Sequence, residues 1–166
     1  MDLRLVDLSD VLLAVVTDLT PLADLAGVRF IGAYAPVQVR ADPGRLTQFL
    51  TNLLTNAINH APTGSTIEAT VREENGSAVA FVTDEGPGFR EEDRQRLFVP
   101  FWRAGINKAA GRLGSGLGLA LAAKLAEAQD GHLIAENRPD RSGAVFSLWL
   151  PIAGALNPPS FPNLHA

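Results

Sequence analysis

The sequence predicts a two-layer α/β (α+β) sandwich, a mixed and mostly antiparallel sheet covered on one face by helices. Three observations carry the prediction. Apolar residues recur at helical spacing in three separate windows, and the β-rich runs between them come in pairs joined by tight turns. The 166 residues, 46% hydrophobic, are enough for one complete core and too few for two comfortable domains. Strict βαβ alternation is not the pattern.

Each element follows from local signals. Between Ser9 and Ala26, Leu12, Val15, Val16, Leu19, Leu22 and Ala26 recur at helical spacing, behind Ser9 as N-cap candidate and ahead of Gly27. Val28 to Tyr34 reads as a strand and Val37 to Val39 as a short second one. Asp42-Pro43 opens the next helix with an acidic cap and an N1 proline. Leu46, Phe49, Leu50, Leu53, Leu54, Ala57 and Ile58 line one side of that helix, and Pro62 and Gly64 mark its end. Thr66 to Arg72 and Ser77 to Thr83 should pair antiparallel through Asn75-Gly76, a strong hairpin signal. Arg90 to Leu97 reads as a short charged helix, and residues 104–113 as a polar, small-residue loop able to act as a lid. Leu117 to Ala128 is helical with Gly131 as its C′ residue, and His132 to Asn137 with Ala144 to Leu150 form a closing hairpin around Pro139 to Gly143. The tail has three prolines after Asn157 and no periodicity, so the expected division is a domain over 1–154 and a disordered tail over 155–166.

The net charge of -4 and pI near 5.3 argue against nucleic-acid binding, which would rest on clustered Lys and Arg. Cysteine is absent, which removes disulfides and thiolate metal sites and suits the cytosol. No apolar run approaches the roughly 20 residues that span a bilayer, and no signal peptide is recognisable, so direct membrane insertion is not expected and a cytoplasmic location is. Opening almost directly on a helix, the chain looks like a piece of something longer.

Three segments suggest chemistry. Asn52, Asn56 and Asn59 fall at i, i+4 and i+7 with Gln48 one turn earlier, a row of uncharged amides opposite the apolar face. Such a row reads either as a solvated polar face or as a metal and phosphate surface, since an amide oxygen can complete the shell of a Mg²⁺ held mainly by phosphates and water. Asp84-Glu85-Gly86-Pro87-Gly88 is either an ordinary strand-to-loop turn or a site where a carboxylate accepts from an exocyclic amine while glycines let a flat base approach. Gly114-Ser115-Gly116-Leu117-Gly118-Leu119 lacks the preceding strand of a dinucleotide fingerprint and the lysine of a P-loop. It fits a glycine hinge feeding a helix N-terminus, whose N–H groups and dipole favour phosphate.

Together these segments resemble the ATP-binding catalytic domain of sensor histidine kinases, a branch of the Bergerat-type ATPases that also includes type II topoisomerase and heat-shock chaperone ATPase domains. The resemblance covers about residues 6 to 152. Asn52 to Ala57 is similar to the N box, Asp84 to Gly88 to the first glycine box, Leu97-Phe98-Val99-Pro100-Phe101-Trp102-Arg103 to the F box, and Gly114 to Leu119 to the second glycine box, in the family's order.

The resemblance implies a Bergerat fold and roles position by position. Asn56 would ligate Mg²⁺ bridging the ATP phosphates, Asp84 would read the adenine amino group, and Gly86 and Gly88 would let the base lie close. Phe98 and Phe101 would anchor the lid, and Arg103, Lys108 and Arg112 would contact phosphates. Ser115 to Leu119, including Gly116, Leu117 and Gly118 after Gly114, would present N–H groups to the β- and γ-phosphates. His60 would border the ribose and phosphates, its competing reading being a helix-end histidine satisfied by water. Asn59 stands where these kinases often carry Lys or Arg. Asn52 stands where the topoisomerase and chaperone relatives place a glutamate that activates water, and an amide cannot be a general base. Hydrolysis should therefore be slow. The implied activity is transfer of the ATP γ-phosphate to a histidine on a dimerisation domain expected to precede Met1, with a response regulator as indirect partner, because His60, His132 and His165 lack a phosphoacceptor context. The alternative is a non-catalytic or anti-sigma-type nucleotide-binding regulatory module of the same fold.

Overall fold

The computed structural model describes residues 1–102 and 116–162. Its first element was not expected: Arg4–Asp7 forms strand β1, antiparallel to β3 (Gln38–Ala41), with Arg4 opposite Ala41 and Asp7 opposite Gln38. Four residues with two charges leave no alternation long enough to read, so partner rather than propensity makes this strand. Helix α1 (Leu8–Ala26) starts earlier than predicted, and its cap is Asp7, not Ser9. The Asp7 carboxylate accepts the Ser9 N–H at 2.9 Å and the Ser9 hydroxyl at 2.6 Å, so Ser9 is a donor within the first turn.

After α1 closes on Gly27, strand β2 (Arg29–Tyr34) leads through β3 into α2 (Pro43–His60). Asp42 caps α2 by accepting the Arg45 N–H at 3.1 Å with Pro43 in the first turn, and the predicted apolar side is buried from Leu46 to Ile58. Strands β4 (Thr66–Glu74) and β5 (Ser77–Thr83) form the hairpin at Asn75-Gly76, both residues having positive φ as a type I′ turn demands. The charged segment Glu91–Phe98 is a 3₁₀ helix, followed beyond residue 115 by α3 (Gly118–Glu127), β6 (His132–Asn137) and β7 (Ala144–Pro151).

The main sheet has the order β2-β4-β5-β7-β6, antiparallel except for the parallel pair β2 and β4, so it is mixed as expected. Alternation decides which side chains meet the helices: Ile67, Ala69 and Val71, Ala78, Ala80 and Val82, and Phe146, Leu148 and Leu150 join Phe49, Leu50, Leu53 and Leu54 in one core. The chain is thus a two-layer α/β sandwich with helices on one sheet face. The opposite face is not bare. Val79 and Trp149 are buried there, Trp149 meets the Phe81 ring edge-on, and Phe161 packs edge-on against His132 at 4.5 Å. Phe161 lies within the stretch expected to be a disordered tail, and the Ser160 carbonyl accepts from the buried Ser77 hydroxyl at 3.3 Å.

Gly131 differs from its expected role. Asp130 takes the left-handed conformation after α3, at φ 56°, while Gly131 is required because a Cβ there would lie 2.6 Å from the Trp149 carbonyl oxygen. Close approach to β7, not helix capping, selects this glycine. Among the described residues no helix is long and apolar enough to cross a membrane.

Candidate functional site

The site is organised along α2. Asn52, Asn56 and His60 are four residues apart, so each lies about 6 Å along the axis from the next on nearly the same face. All three are half-buried, as is Asn59. At the C-terminal end the glycine turn after β5 packs directly on the helix, where a Cβ on Gly86 would come within 2.7 Å of the His60 carbonyl oxygen. About two turns earlier, α3 arrives: a Cβ on Gly118 would sit 4.0 Å from the Asn52 Cβ. The two glycine segments therefore flank the same stretch of α2, with Asn56 between their points of contact.

Asp84 leaves β5 into this junction and is 2% exposed. Its Oδ1 accepts the Gly86 N–H at 2.8 Å, which fixes the carboxylate. Burial raises the Asp84 carboxyl above its ordinary range, while the Gly86 N–H and the nearby His60 pull it back. A carboxylate has about four acceptor positions, so one held by backbone N–H groups can still accept from an amine. Nδ1 of His60 lies 2.8 Å from the Asn56 carbonyl oxygen. A carbonyl only accepts, so Nδ1 carries a proton and donates it to this contact. One ring nitrogen of the histidine is thus held by its own helix.

Among the described residues, Asn52 Nδ2 is buried without a hydrogen-bond partner. A buried amide N–H is costly to leave unpaired, so this donor on the amide row fits an incoming oxyanion. For Mg²⁺ the donor set is one half-buried amide oxygen at Asn56, and no cluster of three His, Asp or Glu exists among the described residues. That set fits a hard cation that brings phosphate and water ligands with it, and does not fit a cage built from protein alone.

The lid residues divide. Phe98 is half-buried against the core, whereas Phe101 is 72% exposed, so its ring is not an anchor. The backbone of Phe101 anchors instead, its N–H donating to the Gly116 carbonyl at 3.1 Å. Gly116, at φ 75°, has no room for a side chain because a Cβ would stand 2.8 Å from the Phe101 carbonyl carbon. Leu117 is exposed and caps α3 without a side-chain acceptor, while Leu119 packs against the core. Arg103, Lys108, Arg112, Gly114 and Ser115, with the predicted lid over 104–113, lie outside the described residues.

Sequence reasoning missed the frame around the glycine turn, which comes from the β6–β7 hairpin. Asn137 accepts the Phe89 N–H on Oδ1 at 2.9 Å and donates from Nδ2 to the Phe89 carbonyl at 2.6 Å. The Ser142 hydroxyl donates to the Gly86 carbonyl at 2.6 Å, and the Asp84 N–H to the Ala144 carbonyl at 3.0 Å. Glu85 turns outward to accept the Thr66 N–H at 2.9 Å. An asparagine at a strand end and a serine before a glycine read as turn punctuation, and nothing local distinguishes them from that.

Residues 41–154 match the family of histidine kinase-, DNA gyrase B- and HSP90-like ATPases. The sensor protein SphS of Synechococcus elongatus is 36% identical over 165 residues, covering 94% of this chain, which spans 40% of that relative's length. Among solved structures, the mycobacterial sensor histidine kinase MprB superposes with a TM-score of 0.80 at 25% identity, over 91% of this chain and 98% of that one. Full-length ShkA in complex with AMPPNP superposes with a TM-score of 0.78 at 29% identity, over 93% of this chain and 32% of that one. With its amide row, buried aspartate and paired glycine segments in the order of that family, the chain belongs to the histidine kinase-, DNA gyrase B- and HSP90-like ATPases, as an ATP-binding catalytic domain of the sensor histidine kinase type.

Proposed function

We propose that the chain binds ATP with Mg²⁺ along α2 and delivers the γ-phosphate to a histidine on a separate dimerisation domain, from which a response regulator draws it. The observation that carries this reading is the meeting of the Asp84 turn and the α3 start on one stretch of α2. Asp84 accepts the adenine amino group, and Gly86 and Gly88 keep side chains away from the base. The amides of Asn52 and Asn59 face the phosphates with His60 beside them, and the first turn of α3 offers N–H groups at its positive end. Asn56 would hold the Mg²⁺, which would supply positive charge beside the transferred group. By the family resemblance, Arg103, Lys108, Arg112, Gly114 and Ser115 would add further phosphate contacts.

The acceptor histidine nitrogen attacks the γ-phosphorus in line, the P–O bond to the β-phosphate breaks, and its electron pair leaves with ADP. The chain's contribution is position and electrostatics, since Asn52 cannot deprotonate water and Asp84 is at the base end. The domain reading over 1–154, with 155–166 as an appendage, belongs to the same proposal. The test is to mix the chain, γ-labelled ATP and Mg²⁺ with a histidine-bearing dimerisation domain. Label on the acceptor with slow ATP turnover in its absence is expected. Rapid turnover without acceptor, or binding without transfer to any histidine domain, would overturn the reading.

A further inference from the structure

We propose that Asn137 is a positioning residue for base recognition, holding the Asp84 turn through the Gly88-Phe89 backbone and so setting the preference for a purine that bears an exocyclic amine. The proposal rests on Asp84 as the amine acceptor. Asp84 to Phe89 is an irregular stretch between β5 and the 3₁₀ helix, and an irregular stretch holds a carboxylate in register only if its backbone is tied down.

The ties come from one hairpin. The amide of Asn137 makes both hydrogen bonds that a neighbouring strand would make to Phe89, at 2.9 Å and 2.6 Å, extending the sheet by one residue beyond β6. Its Nδ2 also reaches Glu91 Oε1 at 3.2 Å, the first residue of the 3₁₀ helix. Gly88 has φ 71°, and a Cβ there would stand 2.5 Å from Asn137 Oδ1, so the amide and the glycine are fitted to each other. Ser142 holds Gly86 at 2.6 Å and Ala144 receives the Asp84 N–H. Between these ties Pro87 fixes its own φ, so a displacement at Phe89 passes back to Gly86, the residue whose N–H orients the Asp84 carboxylate.

None of these groups lies on α2, so base preference separates from phosphate binding. The test measures dissociation constants for ATP and for purine riboside 5′-triphosphate, which lacks the amine, both with Mg²⁺. The unsubstituted chain should prefer ATP by on the order of tenfold or more. Asn137→Ala should bring the ratio below about threefold while leaving affinity for the amine-free nucleotide within about twofold. An unchanged ratio, or equal weakening of both nucleotides, would show a role confined to folding and overturn the proposal. Equal binding of the two nucleotides by the unsubstituted chain would overturn the Asp84 reading as well. If Asn137→Ala does not fold, Asn137→Asp keeps the acceptor for the Phe89 N–H and loses the donor, and the exposed Ser142→Ala removes the Gly86 tie. Both should lower the ratio, and a full ratio in both overturns the proposal.

Discussion

A carboxylate 2% exposed and in no ion pair among the described residues is a cost to the fold, and Asp84 bears it. Because burial raises its pKa above the unfolded value, the folded chain holds the Asp84 proton more tightly than the unfolded chain does. Stability therefore falls as pH rises from about 3.9, the unfolded value, through the folded one. Accepting from an amine needs the ionised form, so ATP affinity should fall as pH drops through that same raised pKa. Calorimetric titration with ATP from about pH 7 downward should show this limb in the unsubstituted chain and lose it in Asp84→Asn. The same substitution keeps an acceptor for the Gly86 N–H while removing the buried charge. It should raise the melting temperature of the nucleotide-free chain and weaken ATP by about 2 kcal/mol, roughly thirtyfold. The position of Asp84 between a strand and two glycines was legible in the sequence. Its burial was not, because Ser142, Gly143 and Ala144 that cover it are about sixty residues away in the chain and nothing local announces them.

Elements were legible where periodicity was long. The apolar side of α2 from Leu46 to Ile58 and the Asn75-Gly76 turn follow directly from spacing and turn chemistry. Boundaries set by tertiary partners were not: β1 exists because β3 pairs with it, and Gly131 is needed by β7 rather than by α3. The cap of α1 is the most testable of these differences. Burial raises the Asp7 carboxyl, but the hydroxyl and N–H of Ser9 outweigh that and leave it below its ordinary range. A lowered folded pKa stabilises above the unfolded value, and that contribution is lost as pH falls through the folded one. Urea denaturation of Asp7→Ala should show a loss of about 1 kcal/mol at neutral pH, shrinking below about pH 4. An unchanged midpoint at neutral pH would return the cap to Ser9.

At the scale of the whole molecule, α2 has two faces with two duties. Leu53 and Leu54 bury against the sheet, while Asn52 and Asn56 line the opposite, half-buried row. Leu53→Ala should cost about 3 kcal/mol of stability by opening a cavity. Asn56→Ala should leave the melting temperature within a few degrees yet abolish phosphate transfer to a histidine domain, as assayed with labelled ATP. The most direct measurement is an amide-resolved NMR titration of the ¹⁵N-labelled chain, first with AMP and then with Mg²⁺-AMPPNP. AMP should shift the Gly86, Gly88 and Phe89 resonances alone, and the triphosphate should add the side-chain amides of Asn52 and Asn56 and the start of α3. Shifts confined to one of these groups under the triphosphate, or AMP acting on the asparagine row instead of the glycine turn, would contradict a single site running along α2.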